Sequence, residues 1–438
     1  MISIYNRIIN HPKSEKVIHW GKLISITGTA QIIIQLSGFI CGILIIRLLP
    51  IKEYALYTLA NTMLGTMVIL ADGGISIGVM AESGKVWNEK KKLGSVLATG
   101  LLLRKKFALR SLIISLPILL YLLLHNGASV VTSILITLSV IPAFYAALSD
   151  TLLEIIPKLH QAILPLQKNQ VIVSIIRLTL IGLSMFIFPW TFIIILSGGI
   201  SRIYGNCRLK KIVYTYVAET HILDPQNEKD ILKTVKKVLP GALYFCVSSQ
   251  INVWLISFLG NTTVVAQIGA LGRLAMLLNI LGILINTLIL PKFVKLPNNK
   301  KQLLKYILIS ISVVTVVCII IIAFSKIFPN QILFILGRSY SDLSQELVLS
   351  ILIGCLNLII GIFISFSSSR GWIMNPIFLM IINILGTIVP IYFVNISTLN
   401  GILLLSFYGS IWGLLVFGTY TLLKIMSIDN ALLKPKFS

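Results

Sequence analysis

The sequence predicts an all-α polytopic membrane protein of about twelve transmembrane helices in two six-helix bundles. Three observations carry this. Apolar blocks long enough to cross a bilayer run through nearly the whole chain, Lys and Arg crowd every second gap between them, and the second six blocks repeat the pattern of the first six. Of 438 residues, 56% are hydrophobic and 12% are charged, with a mean hydropathy of +0.95. A soluble domain holds roughly 45–50% apolar and about 25% charged residues. A chain this apolar needs lipid as its solvent. The 37 Lys and Arg against 14 Asp and Glu give a net charge of +23. In a soluble protein that excess would point to nucleic acid. Here the cations lie between apolar blocks, where the positive-inside rule puts them, so membrane lipids are expected as partners and nucleic acid is not.

A helix needs about 20 apolar residues to cross the hydrocarbon. Candidate spans fall at 22–48, 54–80, 98–124, 128–150, 169–188, 190–207, 238–259, 263–290, 304–328, 344–368, 373–394 and 400–424. The lead-in MISIYNRIINHPKSEKVIHWGK is polar and basic, and predicts a cytoplasmic segment before an uncleaved signal anchor. Lys85, Lys90, Lys91 and Lys92 follow the second span, and Lys158 and Lys168 the fourth. Arg208, Lys210, Lys211, Lys229, Lys233, Lys236 and Lys237 follow the sixth; Lys292, Lys295, Lys300, Lys301 and Lys305 follow the eighth. Lys424, Lys434 and Lys436 mark the tail. The alternate gaps at 125–129, 189–190, 260–263 and 395–400 are nearly bare. Only an even number of spans with both termini in the cytoplasm satisfies this alternation.

The longest outside gap, 329–343, is too short for a catalytic domain, and Arg338 and Asp342 within it are spaced for a surface pair. The longest inside segment, 208–237, closes on ILKTVKKVL, whose spacing predicts an amphipathic helix on anionic lipid. The expected organisation is therefore 1–207, a cytoplasmic linker at 208–237, and 238–438. Leu49 aligns with Leu259 and Ala60 with Ala270 at a constant offset, each pair in a span, tight outer turn, span and basic gap. Six spans followed by six in the same orientation predict a parallel repeat.

The stretch IIRLLPIKEYALYTLANTMLGTMVILADGGIS resembles the opening of Wzx-type polysaccharide flippases, a branch of the multidrug/oligosaccharidyl-lipid/polysaccharide exporter superfamily. Arg47, Leu48, Leu49, Glu53, Tyr54 and Tyr57 fit that pattern, with Pro50 and Ala55 where Gly is usual. The second-half stretch LPGALYFCVSSQINVWLISFLG, with IGALGRLAMLLNILGILINTLILP, resembles the seventh and eighth spans of polysaccharide and lipid II flippases through Arg273, Leu274 and Pro291. The resemblance implies two six-helix bundles around a central cavity. It also implies movement of an undecaprenyl-pyrophosphate-linked oligosaccharide, an O-antigen, capsule or exopolysaccharide repeat unit, from the inner to the outer leaflet of the bacterial plasma membrane, beside other polysaccharide assembly proteins. A lipid II flippase and a multidrug exporter of the same superfamily are the alternatives, and a membrane glycan polymerase is a more distant one.

Ionisable residues at membrane depth cost roughly 2.5–3.5 kcal/mol on insertion scales and normally face a cavity or a partner. Arg273 and Arg177 lie about mid-depth with no acid within a turn on their own spans. Such arginines suit a cavity holding an anion, and a lipid diphosphate is one that an arginine fork grips well; hydrogen bonding to a neighbouring helix is the bland alternative. Arg47 and Arg202 sit near span ends, where snorkelling explains them; Arg47 is also a candidate to line the cavity. Asp72, followed by Gly73 and Gly74, has four readings: pairing with a cavity arginine, proton binding, approach to the interface, or capping of a broken helix. Gln250, Asn279 and Asn286 are polar at depth, for sugar hydroxyls or interhelical bonds. Arg104, Lys105, Lys106 and Arg110 are expected at the inner interface on lipid phosphates. Asp150, Glu154 and Lys158 repeat at helical spacing, as in a solvated extension. His11, His19, His125, His160 and His221 form no metal pair, and the five cysteines have neither zinc nor disulfide spacing. With no phosphate loop, nucleophile motif or paired acids, the chain is expected to be neither an enzyme nor a cofactor binder.

Overall fold

A computed structural model describes residues 12–218, 224–297, 299–372 and 374–428, of which 12–26 as backbone. The lead-in with Arg7 and His11, His221 of the linker, Lys434 and Lys436 of the tail, and the side chains of Lys13, Lys16, His19, Lys22 and Pro291 lie outside what is described. Among the described residues there is helix and no strand. The first half holds α1 (Pro12–Leu48), α2 (Ile51–Asp72), α3 (Ile75–Lys85), α4 (Lys90–His125), α5 (Val130–Leu153), α6 (Ile155–Leu159), α7 (Ile163–Ile187) and α8 (Thr191–Val213). The second holds α9 (Pro225–Leu259), α10 (Thr262–Ala275), α11 (Leu278–Leu288), α12 (Leu290–Val294), α13 (Lys300–Ile327), α14 (Pro329–Leu336), α15 (Ser344–Ser369), α16 (Pro376–Ile391) and α17 (Leu399–Met426).

Each of the twelve expected stretches contains helix among the described residues, and ten of the described helical segments are long and apolar enough to cross a membrane. The remaining two stretches are α8, which carries Arg202, Arg208, Lys210 and Lys211, and the shorter apolar α16. The chain is a multi-pass membrane protein. Bare gaps supply the caps: Asn261 accepts from Val264 N at 2.9 Å, and Thr398 Oγ1 from Gly401 N at 3.1 Å, each satisfying a helix-end donor.

Three elements differ from expectation. The second span ends at Asp72, because Gly73 (φ 47°) and Gly74 (φ 96°) take left-handed backbone that ends one helix and starts α3. The eighth is broken into α10, α11 and α12, with the first interruption just after Arg273. The amphipathic segment ILKTVKKVL at 231–239 is continuous with the seventh span in α9, and its apolar face meets protein rather than lipid. Ile231 and Val235 are buried with Ile75, Val79, Val96, Leu103, Leu152 and Ile155.

Contacts divide the chain into two compact units that cut across helices. One takes the chain through Cys41, Met63–Leu120 and Val130–Cys246; the other takes Gly42–Thr62, Tyr121–Ser129 and the chain from Val247. In lipid, helices associate through close packing and polar contacts rather than hydrophobic burial. In the first unit, a Cβ on Gly199 of α8 would stand 3.1 Å from Ala143 Cα of α5, and Asn206 Nδ2 donates to Ala146 O at 2.8 Å. In the second, Ser367 and Thr421 join α15 to α17 at 2.8 Å, and Trp412 Nε1 donates to Ile382 O at 2.9 Å.

Candidate functional site

Arg177 belongs to the first unit, on α7. The helix meets α1 along a polar seam: Gln31 Nε2 donates to Gln167 Oε1 at 3.3 Å, and Ser37 Oγ to Ser174 O at 3.0 Å. One residue on, α1 has Gly38, and a Cβ there would stand 3.3 Å from Arg177 Nη2. The missing side chain leaves room for the guanidinium. Arg177 has no hydrogen-bonding or ionic partner among the described residues, and its Nε is buried. A cation in a membrane-spanning helix normally faces a cavity or a partner.

Asp72 is committed within the same unit. Its Oδ1 accepts from Ser76 N at 3.2 Å and Ser76 Oγ at 2.6 Å, and from the Arg104 guanidinium. It therefore caps the helix that restarts after the two glycines and pairs with an arginine of α4. Arg104 also donates to Ser76 Oγ, to Leu148 O, and to Thr151 Oγ1 at 2.6 Å. The residue expected at the interface is thus 2% exposed. Its charge is tolerated because a carboxylate, two hydroxyls and a carbonyl surround it. Lys106 pairs with Glu228 at 3.2 Å, while Lys105 and Arg110 are exposed as expected.

Arg273 belongs to the second unit, on α10. Its Cδ would stand 3.2 Å from a Cβ on Gly42 of α1. Its guanidinium is within hydrogen-bonding reach of the buried Tyr54 hydroxyl of α2, and it touches Met276 Sδ at 3.6 Å. One turn earlier, Gly269 lies against α2: a Cβ there would fall 2.5 Å from Thr58 Oγ1. We expect Gly269→Ala to lower the unfolding midpoint in detergent by the equivalent of about 1–3 kcal/mol. Thr58→Ala in the same chain should restore most of it; no change from Gly269→Ala would contradict this packing. Arg47 is not simply snorkelling outward. Its guanidinium donates to Phe334 O and lies 5.1 Å from the Phe334 ring centroid, tying α1 to α14. The gap between α4 and α5 is tied likewise, with Asn126 Nδ2 donating to Ser257 Oγ at 3.0 Å and Thr262 Oγ1 to Asn126 O at 3.1 Å. Tyr340 is 3% exposed, and burial pushes its phenol up, so it stays neutral. Its hydroxyl has no hydrogen-bond partner among the described residues.

Gln250 of α9 is half-buried, while Asn279 and Asn286 of α11 are exposed. None of the three has a hydrogen-bond partner among the described residues. Asp150 is half-buried beside Arg202 and Glu154, and Glu154 pairs with Lys158 at 2.8 Å. Asp342 accepts from Ser341 Oγ at 3.2 Å rather than pairing with Arg338. The five cysteines form no disulfide; Cys41, Cys246, Cys318 and Cys355 are buried and Cys207 is exposed. No cluster that could hold a metal occurs among the described residues. The sequence reading missed the two α1 glycines, although Gly38-Phe-Ile-Cys-Gly42 is a small-xxx-small signal for close helix approach.

No protein-family model and no curated protein matches the chain. Solved structures do. The lipid II flippase MurJ in an inward closed conformation superposes with a TM-score of 0.71 at 14% identity, covering 92% of this chain and 88% of that one. An inward-facing multidrug resistance MATE family transporter gives 0.67 at 15% identity, covering 90% and 95%. A MOP superfamily transporter from Pyrococcus furiosus gives 0.60 at 14% identity, covering 93% and 95%. At these identities the likeness is one of fold: the chain has the all-helical fold of the MOP superfamily transporters.

Proposed function

We propose that the chain is a transporter that moves an undecaprenyl-pyrophosphate-linked oligosaccharide from the inner to the outer leaflet of the bacterial plasma membrane, with both termini cytoplasmic. The observation that carries this reading is Arg177. Its guanidinium lies in a membrane-spanning helix, on a glycine, with no acceptor among the described residues. A diphosphate supplies anionic oxygen acceptors that the planar donor fork of a guanidinium can grip in pairs. Arg273 is likewise proposed as a substrate contact, and Gln250 and Asn279 are proposed contacts for sugar hydroxyls. The polyprenyl tail stays in lipid, and the protein spares the head the cost of crossing hydrocarbon as a hydrated anion.

The test is complementation of a polysaccharide-flippase-null strain. The chain should restore surface polysaccharide, and Arg273→Ala should remove it at unchanged protein level. Wild-type-level polysaccharide with Arg273→Ala would take Arg273 out of the mechanism. A lipid II flippase is the second reading, favoured by the 0.71 superposition on MurJ. Its substrate carries the same polyprenyl diphosphate, so rescue of MurJ-depleted cells rather than the flippase-null strain would select it. An exporter of organic cations would need a deep acid free to bind them, and Asp72 is bound to Arg104.

A further inference from the structure

The basic end of α9 has a surface whose role the transport reading leaves open. Lys229, Lys233, Lys236 and Lys237 are all exposed, at the spacing of one helical face. The opposite face is spent on protein: Ile231 is 0% and Val235 2% exposed. This segment therefore has no apolar face left to insert into a bilayer, only charge. On neighbouring α4, Lys105 and Arg110 are exposed as well. The two helices are joined by Lys106–Glu228 and by Leu103 in the core of Ile231 and Val235.

The lengths of these helices set the level of the cations. α4 has 36 residues and α9 has 35. At about 1.5 Å per residue each exceeds the roughly 30 Å of hydrocarbon by more than half again. Counting about 20 residues back from His125 and Leu259 puts the hydrocarbon edge near Lys105 and near Leu239. Arg110 falls inside that edge, and its guanidinium sits 5.5 Å from the ring centroid of Phe107, folded back toward the basic end. That is the direction of a side chain reaching for headgroups. The lysines outnumber the nearby acids: Glu228 is held by Lys106, and Asp230, which accepts from Gln226 at 3.1 Å, keeps its charge but forms no ion pair with them. Lys105, Lys229, Lys233, Lys236 and Lys237 have no ionic or hydrogen-bonding partner among the described residues.

We infer that these side chains form a ledge that binds the phosphates of anionic phospholipids in the leaflet at the basic end. Binding is by charge alone, so it retains headgroups against the protein without inserting the helix. The test compares the purified full chain, the variant Lys229→Gln/Lys233→Gln/Lys236→Gln/Lys237→Gln, and a charge-matched variant at the exposed Lys292, Lys295, Lys301 and Lys305. Each is exchanged into nanodiscs mixing phosphatidylglycerol and phosphatidylcholine, and lipid retained after detergent extraction is measured by native mass spectrometry. The ledge variant should retain about tenfold less phosphatidylglycerol or worse, with the charge-matched variant close to wild type. Added salt should reproduce the loss in the wild type. Equal loss in both variants would mean that net charge alone attracts the lipid, and would overturn the proposal. So would unchanged retention in the ledge variant.

Discussion

Replacing Arg177 by alanine should abolish surface polysaccharide in the complementation assay, by at least about a hundredfold, at unchanged protein level. Each hydrogen bond to a charged group contributes about 1.5–3 kcal/mol, and a bidentate phosphate contact has two. Losing both corresponds to about two to four factors of ten in binding. The structural cost of the same change should be small. Arg177 has no hydrogen-bonding or ionic partner among the described residues, so truncation orphans none there, and the space beside Gly38 already lacks a side chain. Arg177→Lys should fall between, because it keeps the charge and loses the fork. The unfolding midpoint should move little in either variant. A large fall in stability with transport intact per folded molecule would make Arg177 a structural residue and remove the chief support for the transport reading.

Arg104 should behave in the opposite way. Asp72→Ala leaves its guanidinium buried without its counter-charge, and breaking such a pair costs about 3–5 kcal/mol. The expected result is a chain with a markedly lower unfolding midpoint and poor accumulation. Combining Asp72→Ala with Arg104→Met should recover a large part of the loss, because two apolar groups need no partners. Additive damage in the double variant would contradict the pairing. The helix break at Gly73–Gly74 raises the stakes. A Cβ on Gly74 would fall 2.8 Å from Val238 Cβ, so the turn, the ion pair and the start of α3 are built as one piece.

Length and apolarity made the helices legible, since both are summed over many residues, and a 20-residue apolar run has few other solutions in lipid. Side-chain destinations were less so. Arg104 was placed at the interface because four cations in seven residues are costly to bury. Its partners Asp72, Leu148 and Thr151 are distant in sequence, on two other helices, so no local pattern announces them. The ILKTVKKVL segment has the period of an amphipathic helix, and period alone does not distinguish lipid from protein as the surface its apolar face meets. Arg47 stood near the end of its span as read, but the Phe334 carbonyl and ring that hold it lie far along the chain. Arg177 stands out in the sequence for a physical reason: a mid-depth cation with no acid on its own helix is an anomaly that either a distant partner or a ligand must resolve.

The most direct test is binding of undecaprenyl diphosphate, undecaprenyl monophosphate and undecaprenol to the purified chain in lipid nanodiscs, read by native mass spectrometry on wild type and Arg177→Gln. The expected result is preference for the diphosphate, weak retention of the monophosphate, none of the alcohol, and loss of that preference in Arg177→Gln with the fold intact. Equal retention of all three lipids, or a diphosphate preference unchanged by Arg177→Gln, would contradict the assignment of this arginine to the substrate's phosphates.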